Sequence, residues 1–357
     1  MPYDVAVVGA GVFGAWTAFH LTRAGKRVLI VDQHGQGNTR SSSGGETRII
    51  RMSYGADDIY TRSSIRSLKL WKQFFPEMFS QSGVLVAGPS RDSYLAASRK
   101  SLSSAKYRHE WLDTQSLRRH FPEIAFDRNA CGIYEPLSGV LFARRAVQSV
   151  VDAAVAQGAS YENRRIERPD PKLARTWVFA CGPWLPQLFP RVIGGRIRPT
   201  RQEVFFFGTP SGFAQLPCWI AFREGVYTIP PADGRGFKLA IDEHGPLFDP
   251  ENGDRNVSAA SVARARSILR RRFPALAGAP LLETRVCQYE NTSNGDFLID
   301  RHPDHENVWL AGGGSGHGFK HGPYVGEYLA AQISGRGQPE PRFSLAAKKI
   351  RHRRSIF

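Results

Sequence analysis

The sequence predicts a two-domain protein in which an α/β domain is combined with a strand-rich α+β domain. Three observations support this fold class. A strand–helix–strand unit with a glycine-rich turn opens the chain, a block of short strands occupies residues 198–241, and a second glycine-rich strand-to-helix junction lies at residues 312–320. The length of 357 residues also exceeds the usual size of one compact core, so we expect two domains.

The opening unit, Tyr3 to Asp32, has the pattern of a Rossmann-like nucleotide-binding motif. A valine-rich strand leads into the turn Gly9-Ala10-Gly11-Val12-Phe13-Gly14, a helix follows, and a second strand ends in Asp32. Gly9 permits the tight turn, Gly11 lets backbone amides approach a pyrophosphate, and Gly14 allows close packing of helix on strand. Asp32 can accept the ribose hydroxyls. The motif predicts dinucleotide binding without choosing between NAD and FAD, and a purely structural unit is the alternative.

The last third of the chain contains the second glycine-rich junction. Asn307 to Ala311 is an apolar strand, and Gly312 to Lys320 opens a helix that runs to Ile333. Such a junction offers backbone donors suited to an electron-rich ring edge or a carboxylate. No second complete GxGxxG unit with its own acid follows it, so we expect one tightly bound dinucleotide and not a flavin together with a nicotinamide.

The middle of the chain predicts an antiparallel sheet. Strand patterns cover Arg198 to Phe207, Trp219 to Phe222, Val226 to Ile229 and Gly236 to Ile241, without intervening helices. Residues 132–142, GIYEPLSGVLF, predict two strands around a turn.

The composition is strongly basic, with 48 Lys and Arg against 32 Asp and Glu and a net charge of +16. The tail from Lys348 to Arg354 could contact nucleic acid or anionic lipid. A solvated terminus is the simpler interpretation, and we expect no nucleic-acid partner.

The four cysteines, Cys131, Cys181, Cys218 and Cys287, show neither a CxxC pair nor zinc spacing. We therefore expect no metal site and a reducing compartment, the cytoplasm. The first apolar segment lacks the pattern of a signal peptide, and no apolar run approaches 18 residues, so no membrane span is expected.

Several separated motifs together resemble the monomeric sarcosine oxidase and N-methyltryptophan oxidase group of the D-amino-acid-oxidase-type flavoproteins. In chain order they are GAGVFG, GETRIIRMSYG, IYEPLSGVLF, VFACGPW, FKLA, VCQYENT, DFLID and SGHGFKHGPYVGE. The resemblance implies a discontinuous FAD-binding domain, residues 1–82, 142–195 and 288–357, and an antiparallel-sheet substrate domain, residues 83–141 and 196–287. It also implies a monomer.

The resemblance assigns roles to individual residues. Cys287 stands where this group attaches its flavin through a thioether, and Arg51 and Lys320 stand where it binds the substrate carboxylate. Lys238 falls on the lysine that activates dioxygen, and Arg48 is expected against the flavin. Without the family context, a cysteine on a strand would be a small apolar residue, and each of these cations would be solvated.

The expected site residues fall into three sets. The catalytic residues are Lys238, Arg48 and Lys320, and the substrate-binding residues are Arg51, Lys320, Tyr227 and Asp242. The cofactor-binding residues, taken from the glycine motif and the resemblance together, are Gly9, Gly11, Val12, Phe13, Gly14, Asp32, Gln33, Ser42, Thr47, Arg48, Ile166, Ala180, Gly182, Trp184, Cys287, Gly314, Gly316, His317, Gly318 and Lys320.

Three departures from the group's pattern concern the substrate and the adenine end. In sarcosine oxidase a histidine follows the lysine that activates dioxygen by four residues, and this chain has Asp242 at that position. The group also has a pair of histidines before Thr-Arg, where this chain has Ser43-Gly44. An acid at 242 could favour a cationic or larger substrate side chain. The segment after Gly158 is also shorter than in the group, which affects Ile166 as an adenine contact.

The expected activity is FAD-dependent oxidation of a secondary or N-methyl amino acid, with dioxygen reduced to hydrogen peroxide. One alternative is a flavin-dependent amino acid dehydrogenase that passes electrons to a quinone or carrier protein. A second is a non-catalytic flavoprotein or a basic nucleic-acid-binding module, which would show salt-sensitive DNA binding.

Overall fold

The computed structural model describes residues 1–350. Its strands are β1 (Tyr3–Val8), β2 (Val28–Asp32), β3 (Thr47–Ile50), β4 (Phe79–Ser80), β5 (Val84–Pro89), β6 (Glu110–Leu112), β7 (Ala130–Glu135), β8 (Gly139–Phe142), β9 (Ser160–Asn163), β10 (Ala174–Phe179), β11 (Ile197–Phe207), β12 (Cys218–Ala221), β13 (Val226–Ile229), β14 (Phe237–Ile241), β15 (Leu281–Thr292), β16 (Leu298–His302) and β17 (His305–Gly312). Its α-helices are α1 (Val12–Arg23), α2 (Asp58–Phe74), α3 (Ser93–Ser104), α4 (Thr114–His120), α5 (Ala143–Ala156), α6 (Leu185–Leu188), α7 (Ala259–Arg272) and α8 (Gly322–Ile333).

The first sheet carries the nucleotide-binding unit. Its order is β16-β17-β10-β1-β2-β9, and all neighbours are parallel except β16 and β17. β1 and β2 are almost wholly buried, which explains their continuous runs of valine, leucine and isoleucine. α1 packs against both α5 and α8, so the beginning and the end of the chain share one core.

The second sheet has the order β15-β11-β14-β13-β12-β5-β7-β6 and is antiparallel except between β12 and β5. A smaller sheet, β3-β8-β4, stands beside it. The predicted fold class, a parallel nucleotide-binding sheet combined with a largely antiparallel one, is confirmed. The domain boundaries stay predictions. The predicted boundary between residues 287 and 288 falls within β15, which runs from Leu281 to Thr292.

The two strands predicted around a turn in GIYEPLSGVLF are present as β7 and β8, and they belong to different sheets: β7 joins the eight-stranded sheet and β8 the three-stranded one. One local expectation needs correction. Lys348 is not solvated: it is 3% exposed, and its ammonium donates to the Asn294 side-chain oxygen at 3.2 Å and to the Arg342 carbonyl. The remainder of the basic tail, 351–354, lies outside the described residues.

Among residues 1–350 no helix combines the length and the apolar character that crossing a bilayer requires. The predicted monomeric state and cytoplasmic location stay predictions.

Candidate functional site

A cavity of about 470 Å³ lies where the first sheet meets β15. The turn after β1, the end of β2, the turn after β10 and the loop between β17 and α8 surround it. Of the residues predicted to bind a cofactor, it is lined by Gly9, Gly11, Val12, Phe13, Asp32, Gln33, Ser42, Arg48, Ile166, Ala180, Gly182, Trp184, Gly314, Gly316 and Gly318. We call it the cofactor cavity.

The glycine turn has the geometry that its sequence predicts. Gly9 has φ +101°, a conformation that glycine adopts readily. A Cβ at Gly14 would lie 1.8 Å from the Gly9 carbonyl oxygen and 3.2 Å from a Val7 methyl carbon, so only glycine lets α1 approach β1 this closely. The Ser43 hydroxyl accepts the Val12 backbone N–H at 3.1 Å, a contact that the sequence did not suggest.

The polar groups around this cavity fit a dinucleotide. The Asp32 carboxylate accepts the Ala10 and His34 backbone N–H groups at 2.8 Å each, which fixes it at the end of β2, and burial raises its pKa. The Ser42 hydroxyl and the Gln288 side-chain oxygen are buried without a hydrogen-bond partner in residues 1–350. Both line the cavity, so a ligand with sugar hydroxyls and phosphates would supply what they lack.

Glu290 is a buried acid in the same cavity that the sequence did not identify. Its carboxylate accepts the Gly313 backbone N–H at 3.2 Å, and burial raises its pKa to about 7. Gly182 and Gly314 lie against it, and a Cβ at Gly314 would be 3.2 Å from its oxygen. In the sequence Glu290 lies between Tyr289 and Asn291 in a mostly polar stretch, so no local pattern marked it as a buried acid.

A second cavity, of about 110 Å³, adjoins the first. Ser41, Arg48, Tyr289, Gly316 and Phe319 line both. Of the predicted site residues, this second cavity is lined by Arg48, Arg51, Tyr227, Lys238, Asp242, Cys287, Gly316 and His317. We call it the substrate cavity. The fold thus brings residues from all parts of the chain to one place.

Cys287 lies on β15 beside Arg48. The Arg48 guanidinium donates to the Cys287 sulfur at 3.6 Å and is held by the backbone oxygens of Thr47 and Ser42, at 2.8 and 2.7 Å. Burial raises the pKa of the thiols of the other three cysteines, to about 11 for Cys131 and to about 12 for Cys218. Cys287 is thus the cysteine that has both a guanidinium neighbour and a place on the substrate cavity.

Lys238 projects from β14 into the same cavity. Its ammonium donates to the Thr47 carbonyl at 3.0 Å and lies 5.6 Å from the centre of the Tyr227 ring. Burial, and then the nearby positive charge of Arg48, lower its pKa from 10.5 to about 7. Its charge therefore depends on pH in the neutral range.

Arg51 and Lys320 both contact Tyr54, but of the two only Arg51 lines the substrate cavity. The Arg51 guanidinium donates to the Ser53 carbonyl and to the Tyr94 hydroxyl, and its central carbon lies 4.3 Å from the Tyr54 ring centre. The Lys320 ammonium donates to the Tyr54 hydroxyl at 2.8 Å and to the His317 carbonyl at 2.9 Å. Among the described residues, Lys320 is not part of either cavity wall, and burial lowers its pKa well below the usual value.

Glu135 holds the segment that carries Arg51, and the sequence did not identify this role. Its carboxylate is 0% exposed and accepts the Met52 and Ser53 backbone N–H groups at 2.8 and 2.9 Å. The hydroxyls of Ser53 and Ser138 donate to it as well. A glutamate at the end of an apolar strand, in IYEP, was the signal for such a role.

Asp242 directly follows β14 and lines the substrate cavity. Its carboxylate accepts the Tyr289 hydroxyl at 2.7 Å, and its backbone N–H donates to the Gly225 carbonyl at 2.5 Å. Its negative charge contributes to raising the pKa of Arg51, so the two side chains interact through space.

Known proteins with similar sequences cover nearly the whole chain. Monomeric sarcosine oxidase of Bacillus sp. (strain NS-129) is 31% identical, over 96% of this chain and 95% of its own. N-methyl-L-tryptophan oxidase of Salmonella arizonae is 29% identical, over 92% of this chain and 94% of its own. The solved structure of L-proline dehydrogenase from P. horikoshii superposes with a TM-score of 0.84 at 19% identity, covering 96% of this chain and 97% of that one, and shares the fold.

The sequence also matches the family described as FAD dependent oxidoreductase (DAO), over residues 4–332. The predicted resemblance and the FAD-dependent class are therefore confirmed. The chain belongs to the FAD dependent oxidoreductase (DAO) family.

Proposed function

We propose that this protein is an FAD-dependent amine oxidase that converts a secondary or N-methyl amino acid to an imine. The observation that carries the proposal is the contact between two cavities. A dinucleotide-sized cavity that ends at the glycine turn adjoins a small cavity lined by Arg51, Lys238 and Cys287. The names of two relatives, sarcosine oxidase and N-methyl-L-tryptophan oxidase, agree with an N-methylated amino acid as the substrate.

The cofactor-binding residues would hold FAD across the larger cavity. The N-terminus of α1 and the Ser42 hydroxyl face the part suited to phosphates, and Asp32 lies at the end of β2 for a ribose. When bound there, FAD supplies the two-electron acceptor for oxidation of the carbon next to nitrogen.

Arg51 would bind the substrate carboxylate. Its planar guanidinium suits a carboxylate, and stacking between Tyr54 and Phe222, at 4.3 and 4.7 Å from the ring centres, keeps it in one orientation. Lys320 would contribute indirectly, because its ammonium donates to the hydroxyl of Tyr54 and the Tyr54 ring packs against Arg51. Holding the substrate in one orientation can contribute about 7 to 11 kcal/mol toward the barrier.

The cations on the cavity also control the protonation of the amine. Arg48, Arg51 and Lys238 line the space in which the amino group must sit. Their positive charge disfavours a protonated nitrogen, so the amine is bound with its lone pair available. No side chain is then needed as an obligatory base.

Cys287 is proposed to be the covalent attachment point of the cofactor, through a thioether. Its place on the wall of the substrate cavity and the contact of its sulfur with the Arg48 guanidinium support this assignment. Lys238 is proposed to serve the reaction with dioxygen, because a fixed cation in a buried cavity stabilises negative charge that develops there.

Peroxide release tests the proposal. The purified holoprotein, mixed in air with a panel of N-methyl amino acids and no added acceptor, should form one hydrogen peroxide for each amine oxidised. Oxidation that requires an added quinone or carrier would identify a dehydrogenase instead. No oxidation under either condition would refute the proposed reaction.

A further inference from the structure

Strand β15 contributes side chains to both cavities. Cys287 lines the substrate cavity, Gln288 and Glu290 line the cofactor cavity, and Tyr289 lines both. Side chains two residues apart in a strand lie on the same face, roughly 7 Å from each other. Gln288 and Glu290 therefore form a short polar row on the wall of the cofactor cavity, and this row begins next to Cys287.

Gln288 presents an unpaired acceptor to the cofactor cavity. Its amide nitrogen donates to the Arg40 carbonyl at 2.5 Å, which fixes the orientation of the amide group. The amide oxygen is buried and has no hydrogen-bond partner in residues 1–350, and the residue as a whole is 1% exposed. A buried acceptor is ordinarily paired, so a bound ligand must supply the donor.

Glu290 presents a second acceptor on the same face. Its carboxylate accepts the Gly313 N–H at 3.2 Å, and a Cβ at Gly312 or Gly314 would lie only 3.1 or 3.2 Å from its oxygens, so the backbone holds it in place. Within residues 1–350, no positively charged side chain is among the groups that act on its pKa. A carboxylate can accept about four hydrogen bonds, so capacity remains for donors from a ligand.

This row suits hydroxyl groups and not phosphates. A phosphate carries negative charge, so the Glu290 carboxylate would repel it. The N-terminus of α1 is the place suited to phosphates, and Asp32 is the acid at the end of β2 that suits the adenosine ribose. The hydroxyls of FAD that remain belong to the ribityl chain, which joins the ring to the phosphates. Because the row begins beside Cys287, the proposed attachment point of the ring, it lies where that chain would run.

Resting on the proposed place of FAD in the cofactor cavity, we propose that Gln288 and Glu290 bind the hydroxyl groups of the ribityl chain. One hydroxyl donates to the unpaired Gln288 oxygen, and another donates to the Glu290 carboxylate. The two residues act by binding and positioning the cofactor, and they take no part in the transfer of electrons.

A binding cycle with two ligands tests the assignment. The ligands are FAD and an analogue in which a five-carbon chain without hydroxyls replaces the ribityl chain. The full-length apoprotein carries Cys287→Ala, so that no thioether at that residue traps the flavin. Calorimetric titration should show that Glu290→Gln weakens FAD binding by roughly 5- to 10-fold, the difference between a charged and a neutral acceptor. Gln288→Met, which removes the acceptor, should weaken FAD binding by roughly 2- to 10-fold.

Both losses should disappear with the analogue, because it lacks the hydroxyls that the two side chains accept. Unchanged FAD binding in Glu290→Gln and Gln288→Met would overturn the assignment. Losses of the same size with FAD and with the analogue would also overturn it, since the two residues would then contact another part of the cofactor.

ADP, which contains the adenosine ribose but no ribityl chain, serves as the control ligand. Glu290→Gln and Gln288→Met should bind ADP as the background protein does, which also shows that both variants are folded. Asp32→Asn is the control variant, and it should weaken FAD, the analogue and ADP alike. If Glu290→Gln weakened ADP as much as FAD, the acid would serve the adenosine half of the cofactor, and the inference would fail.

These titrations need no turnover, so they separate this inference from the proposed reaction. The expected binding pattern in a protein that oxidises no amine would support the ribityl contacts while refuting the proposed activity. Amine oxidation together with unchanged FAD binding in both variants would do the reverse. A background protein that bound no FAD would overturn both.

Discussion

Replacing Glu135 with glutamine should weaken both the fold around Arg51 and the binding of carboxylates. One carboxylate oxygen accepts the Met52 N–H and the Ser138 hydroxyl, and the other accepts the N–H and hydroxyl of Ser53. Glutamine keeps one acceptor oxygen and presents an NH₂ group at the other position. The serine hydroxyl there can rotate, but the backbone N–H cannot, so a buried donor loses its partner.

The expected cost follows from these contacts. An unsatisfied buried donor costs about 1 to 3 kcal/mol, and the remaining bonds lose their charged acceptor, so Glu135→Gln should lower the free energy of unfolding by roughly 2 to 5 kcal/mol. The segment also carries the Ser53 carbonyl that receives Arg51, so the dissociation constant of a carboxylate inhibitor should rise. Arg51 would no longer be held in the orientation that binds the ligand.

Chemical denaturation and inhibitor titration measure the two effects. Glu110→Gln is the matched control, because it makes the same change at an exposed residue of β6 and should stay within about 0.5 kcal/mol of the wild type. If Glu135→Gln unfolded like this control and bound the inhibitor as tightly as the wild type, Glu135 would not position Arg51.

The remaining predictions concern the proposed roles of Cys287, Lys238 and Arg51. Cys287→Ala should release yellow flavin into the supernatant on acid precipitation, and colour that stays in the pellet would refute a thioether at that residue. Lys238→Met should slow reoxidation by dioxygen far more than reduction by substrate. In the wild type the reoxidation rate should fall as the pH rises through about 7, because the Lys238 ammonium then loses its proton, and a rate independent of pH between 6 and 8 would contradict this. Arg51→Gln should weaken carboxylate inhibitors by about 1.5 to 3 kcal/mol in direct titration, the loss of a hydrogen bond between charged groups, and an unchanged constant would place the carboxylate elsewhere.

The local features of the cofactor cavity could be predicted from the sequence. The glycine turn and Asp32 lie within one strand–helix–strand unit, where spacing along the chain determines spacing in the fold. The second glycine-rich junction was predictable for the same reason, although a short 3₁₀ turn at Gly318–His321 precedes α8. The polar strand β9, Ser160–Asn163, was missed because it lies at the sheet edge and lacks an apolar pattern.

The contacts that define the substrate cavity depend on pairing between distant segments. Arg48 and Cys287 are 239 residues apart, and Glu135 lies 83 residues from Met52. Neither contact follows from local spacing. The resemblance predicted Arg51 and Lys320 as a pair that binds the substrate carboxylate. Only the structure shows that Tyr54 packs between them and that Lys320 does not line the substrate cavity. The Asp242–Tyr289 bond likewise depends on how β14 and β15 are placed around β11.

An anaerobic absorbance titration of the purified holoprotein with N-methyl amino acids measures the proposed oxidation directly. We expect the flavin colour to bleach with one equivalent of substrate, and an analogue with its carboxylate replaced by a neutral amide to bleach it far more slowly. Protein that contains no flavin and takes none up, or flavin that no amino acid bleaches, would refute the proposed function.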